Sequence, residues 1–68
     1  MDPIILRLEI KELKAKIELC EIVCAALAAR YSGAGLSPEV KEEITTLWAA
    51  ALIVGNELRA HLAMLEQV

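Results

Sequence analysis

Apolar residues recur every three or four positions along almost the whole chain, and the rhythm breaks only once, between Ser32 and Ser37. That spacing is the signature of an amphipathic α-helix, and two such segments of equal length fill the 68 residues. Both open in the same way. Asp2-Pro3 sets a side-chain acceptor at a helix N-cap and a proline at the first helical position, where a missing N–H costs nothing. Ser37-Pro38-Glu39 repeats the arrangement. Within the break, Ser32-Gly33-Ala34-Gly35-Leu36, Gly33 is able to take the left-handed conformation that closes a helix, with Leu36 covering the chain end. These marks predict one helix from about Pro3 to Ser32, a loop over about 33–37 and a second helix from about Pro38 to Glu66. At helical rise each is roughly 43–45 Å long, and matched lengths with a short connection give an antiparallel pair. The expected fold class is all-α: one helical hairpin spanning 1–68 that assembles into a helical-bundle homo-oligomer.

The first helix carries two apolar lines. Leu6, Ile10, Leu13, Ile17, Cys20, Cys24, Leu27 and Tyr31 follow a 4,3 spacing and form an unbroken heptad seam. Leu8, Ala15, Leu19, Ile22 and Ala26 run along nearly the opposite side. Beyond Glu21 the only charge before the loop is Arg30, so this half of the helix is apolar almost all round, as in a helix buried on several sides. The second helix has a seam of larger residues, Val40, Ile44, Leu47, Ala51, Val54, Leu58 and Leu65, flanked by Trp48 and Leu62. Its opposite line, Thr46, Ala49, Ile53, Asn56, Ala60, Ala63 and Gln67, is mostly small.

A helix docked on one partner needs one stripe. The two large seams are therefore expected to form the core of the hairpin. Leu8, Ala15, Leu19, Ile22, Ala26, Ala49, Ile53, Asn56, Ala60 and Ala63 are then the expected interface with other copies of the chain. Composition agrees: 57% of residues are hydrophobic, against about 45–50% in ordinary soluble domains, and a chain this short buries only about 60% of its surface. A two-fold dimer forming a four-helix bundle is the base-rate assembly, and a trimer or tetramer also suits seams on opposite sides of each helix.

Charge removes several other partner classes. Seven basic and ten acidic residues give a net charge of −3, with no electrostatic footprint for counterion-driven nucleic-acid binding. Tyr31 and Trp48 are the only aromatics, too few for a base-stacking platform. Met1-Asp2-Pro3-Ile4 lacks the basic region of a secretory signal. The longest uncharged run, Ile44 to Asn56, is shorter than the ~18 residues of a spanning helix. The expectation is a soluble protein with itself as partner and neither nucleic acid, membrane nor small-molecule substrate.

Residues able to do chemistry are few. Cys20 and Cys24 lie one turn apart on the inner seam, but zinc wants four Cys or His ligands and the only histidine is His61. With Tyr31 opposite Pro38, paired positions sum to about 69. Cys20 is then level with Ala49 and His61 with Leu8, about 18 Å from the cysteines along the axis. Both cysteines read as small buried hydrophobes, and C-x-x-x-C in mid-helix lies away from the N-terminus that lowers a thiol pKa. His61 reads as a half-buried boundary residue bonded to Glu57 at i,i+4. The Glu-x-x-His spacing of di-iron bundles is absent. Ser32 and Ser37 belong to helix ends, Glu39, Glu42 and Glu43 complement the macrodipole of the second helix, and Glu12–Lys16 is ordinary surface support. No enzyme activity, cofactor or metal site is expected.

The paired Asp2-Pro3 and Ser37-Pro38-Glu39 starts, the Ser32-Gly33-Ala34-Gly35 turn, equal helices and Ala/Leu/Ile seams without phenylalanine resemble de novo designed helical oligomers, including those produced by network hallucination. The resemblance covers the whole chain. It implies a structural self-assembling protein with no substrate and no natural compartment beyond the cytoplasm of an expression host. The alternative is a natural hairpin similar to the small RNA-binding plasmid regulator that dimerises into a four-helix bundle. Its function would need a basic solvent-facing surface. Arg7, Lys11 and Lys14 begin such a line, but Glu18 and Glu21 continue it with the opposite sign.

Asn56, set among alanines, reads as a polar residue that fixes register and oligomer order at a cost in stability. Asn56→Leu is expected to raise the melting temperature while broadening the oligomer distribution. A single unchanged species in native mass spectrometry would count against that role.

Overall fold

The computed structural model describes residues 2–67 and contains two α-helices, α1 (Pro3–Tyr31) and α2 (Pro38–Glu66), packed against each other as an antiparallel hairpin. The hairpin is a rod of 52 × 14 × 12 Å. Both N-caps work by the mechanism their sequences dictate. The Ile4 N–H donates to Asp2 Oδ1 at 2.8 Å, and the Val40 N–H donates to Ser37 Oγ at 3.3 Å, with proline following each cap.

The turn differs from the expectation at its glycines. Helix α1 ends at Tyr31 and is capped by Ser32, whose N–H and hydroxyl both donate to the Ala28 carbonyl, while the Gly33 N–H reaches the Arg30 carbonyl. These bonds are made with Ser32 in a right-handed conformation, so the helix closes without a left-handed residue at Gly33. The positive φ falls at Gly35 instead, at 80°, where the chain reverses before Leu36 tucks half-buried against the hairpin. Among the described residues it is the one glycine with a positive φ.

On α1 the inner seam is the one the heptad spacing marks. Leu13 and Ile17 are buried, and Leu6, Ile10, Cys20, Cys24 and Leu27 are half-buried. Tyr31, at the end of that seam, is exposed, with Lys41 Nζ 5.7 Å from its ring centre. On α2 the inner seam is Ile44, Ala51, Gly55, Leu58, Leu62 and Leu65. Val40, Leu47 and Val54, expected inside, are exposed. Both candidate seams share Ile44, Ala51, Leu58 and Leu65, and differ in whether the intervening positions are Leu47, Val54 and His61 or Trp48, Gly55 and Leu62. In the second set Gly55 is buried and Leu62 half-buried in place of an exposed His61, while Trp48 stays 40% exposed. A Cβ built on Gly55 would lie 3.6 Å from Cys20 Cβ.

That contact also corrects the register. Cys20 stands against Gly55, not Ala49. Counting outward in opposite directions, Ile17 is level with Leu58, Leu13 with Leu62 and Ile10 with Leu65, while Cys24 is level with Ala51. The core is thus thick with branched side chains towards the termini and thin at the cysteines.

Gly55 is in ordinary helical conformation, so its missing side chain is a propensity deficit as well as a packing device. An added methyl would touch Cys20 at normal van der Waals distance and displace only the flexible end of Arg59, 3.2 Å away. Gly55→Ala is expected to stabilise the fold by about 0.5–1 kcal/mol in urea melts. Gly35→Ala has free space but a left-handed backbone, and is expected to destabilise by about 1 kcal/mol.

Candidate functional site

Since the helices face each other along one seam, the candidate site is the surface they leave outside. The ten expected interface positions lie there. Leu8, Leu19, Ile22 and Ile53 are 60%, 60%, 58% and 59% exposed, and Ala15, Ala26, Ala49, Asn56, Ala60 and Ala63 are exposed as well. They form two lines on the outer sides of the hairpin, one on each helix, pointing away from the shared core.

The two flanks between these lines are unlike. One is polar and joins the helices: Arg59 Nη2 donates to Glu21 Oε1 at 3.2 Å, and Lys14 Nζ lies 3.8 Å from Glu66 Oε2. Arg59 Nη1 also donates to Asn56 Oδ1, at 3.3 Å, so the amide of Asn56 has a partner within its own chain. All these groups are solvent-exposed, and such pairs contribute at most about 1 kcal/mol each. The other flank carries Val23, Val40, Leu47 and Val54, all exposed, near the loop end, and the Glu12–Lys16 pair and His61 nearer the termini. Sequence reasoning assigned Val40, Leu47 and Val54 to the core and missed this surface. The signal that could have found it is His61, which shares their heptad line and marks it as the wetter of the two choices.

Charge is distributed along the rod as well as around it. No charged residue occurs between Ile22 and Ala29 or between Ile44 and Asn56, and the register set by Cys20 and Gly55 places these segments side by side. A belt free of charge therefore encircles the hairpin near its loop end. Ile22 and Ile53 lie on its outer sides, Val23 and Val54 on the apolar flank, and Trp48 and Leu52 nearer the polar flank. Within it an open notch of about 340 Å³ is lined by Leu27, Ala28, Tyr31, Ser32, Ile44, Thr45 and Trp48. Its polar atoms are the hydroxyls of Tyr31, Ser32 and Thr45, and the latter two already donate to the Ala28 and Lys41 carbonyls.

The residues weighed for chemistry are not brought together. Cys20 and Cys24 are free and half-buried, on the inner seam but wetter than the small buried hydrophobes the sequence suggested. His61 is exposed and, among the described residues, makes no hydrogen bond or ion pair with Glu57; the outward turn of the 47/54/61 line carries it towards solvent. Three or more Cys, His, Asp or Glu side chains do not converge anywhere among the described residues. Glu12 and Lys16 pair at 2.9 Å on the surface. Lys14, the third member of the short basic line, is paired with Glu66. No helix among the described residues is long and apolar enough to cross a membrane.

Comparison with protein-family models, with curated proteins and with solved structures finds no match to this chain.

Proposed function

We propose that this chain is the structural unit of a self-assembling homo-oligomer, a designed helical hairpin whose activity is association with copies of itself. One observation carries the reading. The hairpin exposes 5250 Å², whereas a compact monomer of 7.4 kDa exposes about 4200 Å². The excess of roughly 1000 Å² is comparable to the ~800 Å² that each partner buries in a standard interface.

The core supports the same conclusion from the other side. Leu13, Ile17 and Ile44 are the only apolar residues buried among those described. Chains of this size need disulfides, a metal, unusually tight helix packing or oligomerisation to hold a fold. The two cysteines are free, so the first device is not used. Packing of the exposed Leu8, Leu19, Ile22 and Ile53 against other copies would supply the missing apolar burial at about 25 cal/mol for each Å² removed from water. Catalysis, cofactors and nucleic acid have no part in this reading.

Light scattering and far-UV circular dichroism across a dilution series through the micromolar range test it. Mass and helicity are expected to fall together on dilution, because the chain is ordered by the contacts that assemble it. A monomer that stays fully helical at micromolar concentration would overturn the proposal.

A further inference from the structure

The structure also bears on how copies meet, a question that rests on the self-assembly reading above. The outer lines of α1 and α2 differ in size and in charge. That of α1 projects Leu8, Leu19 and Ile22, whereas that of α2 is mainly Ala49, Ala60 and Ala63. Helix α1 carries five basic and four acidic residues, and α2 carries two basic and five acidic, for net charges of +1 and −3. Packing α2 on α2 would set alanine against alanine and −3 against −3. Packing α1 on α1 would set leucine against leucine and leave both alanine lines bare.

We infer that the contact is heterologous: the outer line of α1 in one copy seats on the outer line of α2 in the next, antiparallel, as the two helices already pack within the chain. Copies in a ring share one height, so the register of the hairpin carries over: Ile22 meets Ile53, Leu19 meets Asn56, and Ala15 and Ala26 meet Ala60 and Ala49, where the backbones can approach closely, while the net charges are opposite in sign. A contact of this kind repeats from copy to copy, closing into a ring where the rotation between copies allows and extending as an open filament where it does not.

The angles between seams bear on ring size. At ~100° per residue, the inner and outer lines are separated by about 155° on α1 and about 165° on α2. A bundle of two hairpins, with helices at the corners of a square, needs contacts about 90° apart, and a ring of three hairpins needs about 120°. The wide separation favours three or more copies. Such a ring has an inside and an outside, and the hairpin has a flank for each. Val23, Leu47 and Val54 would face the interior near the loop end, with the Glu12–Lys16 pair and His61 on the same side nearer the termini, and the flank held by Arg59–Glu21 and Lys14–Glu66 would face outward.

Two variants separate this arrangement from its rivals, because each places a carboxylate on one outer line and leaves the hairpin seam untouched. Leu19→Glu blocks the line of α1, and Ile53→Glu blocks that of α2. Alone, each variant is expected to run as a monomer in light scattering. Mixed in equal amounts, they are expected to form a 1:1 heterodimer with regained helicity, since one retains a free α1 line and the other a free α2 line, and the pair cannot close. If either variant alone forms a homodimer, or the mixture stays monomeric, the heterologous contact is wrong. A wild-type mass of two copies would overturn the ring of three or more while leaving self-assembly standing. A wild-type monomer would overturn self-assembly itself.

Discussion

Two cylinders laid side by side touch along one line, so a hairpin of straight helices can bury one stripe on each helix and no more. Everything else about this molecule follows from a sequence that supplies more than one stripe. The stripes that meet are anchored by Leu13, Ile17 and Ile44, and the close approach at Cys20 and Gly55 sets both the rotation of α2 and the register. Whatever lies beyond that line is left to water or to another chain. In a larger protein, additional helices would cover it; the described residues of this chain form two helices only.

The Cys20–Gly55 approach has consequences at both ends of the rod. By rotating α2, it turns Arg59 towards Glu21 and Glu66 towards Lys14, so one flank becomes polar, while Leu47 and Val54 turn outward on the other. The hairpin is thereby given one side on which ion pairs join the two helices and another on which Leu47, Val54 and His61 are exposed. Because a helix turns as a rigid body, the same rotation that sets Gly55 against Cys20 places the large residues of α2 as well.

Much of the fold was legible in the residues. The caps at Asp2 and Ser37 were, because a side-chain acceptor followed by proline has few other uses. So was the inner seam of α1, where the heptad line is unbroken and has no competitor of similar apolarity. The seam of α2 was not, since two lines share every seventh residue and hydrophobicity alone prefers Leu47 and Val54 to Trp48 and Gly55. Glycine scores as a poor core residue, yet Gly55 is buried against Cys20, where an added methyl would also fit. The turn was read correctly in position but not in conformation, as Ser32 closes α1 through its own hydroxyl and N–H and leaves the left-handed step to Gly35.

The outer lines were equally visible from periodicity, and Leu8, Leu19, Ile22 and Ile53 are indeed outside. The outward placement of Leu47 and Val54 was not, because their exposure depends on how far α2 is turned. Local sequence thus determined the number of helices, their ends, their antiparallel pairing and the surplus of apolar surface, since capping, proline geometry and 3.6-residue periodicity act within a few residues of chain. Tertiary structure alone decided the rotation and register of α2, and with them on which side of the hairpin ion pairs join the helices. Those depend on how closely two backbones can approach, a property of a pair of surfaces that neither helix carries by itself.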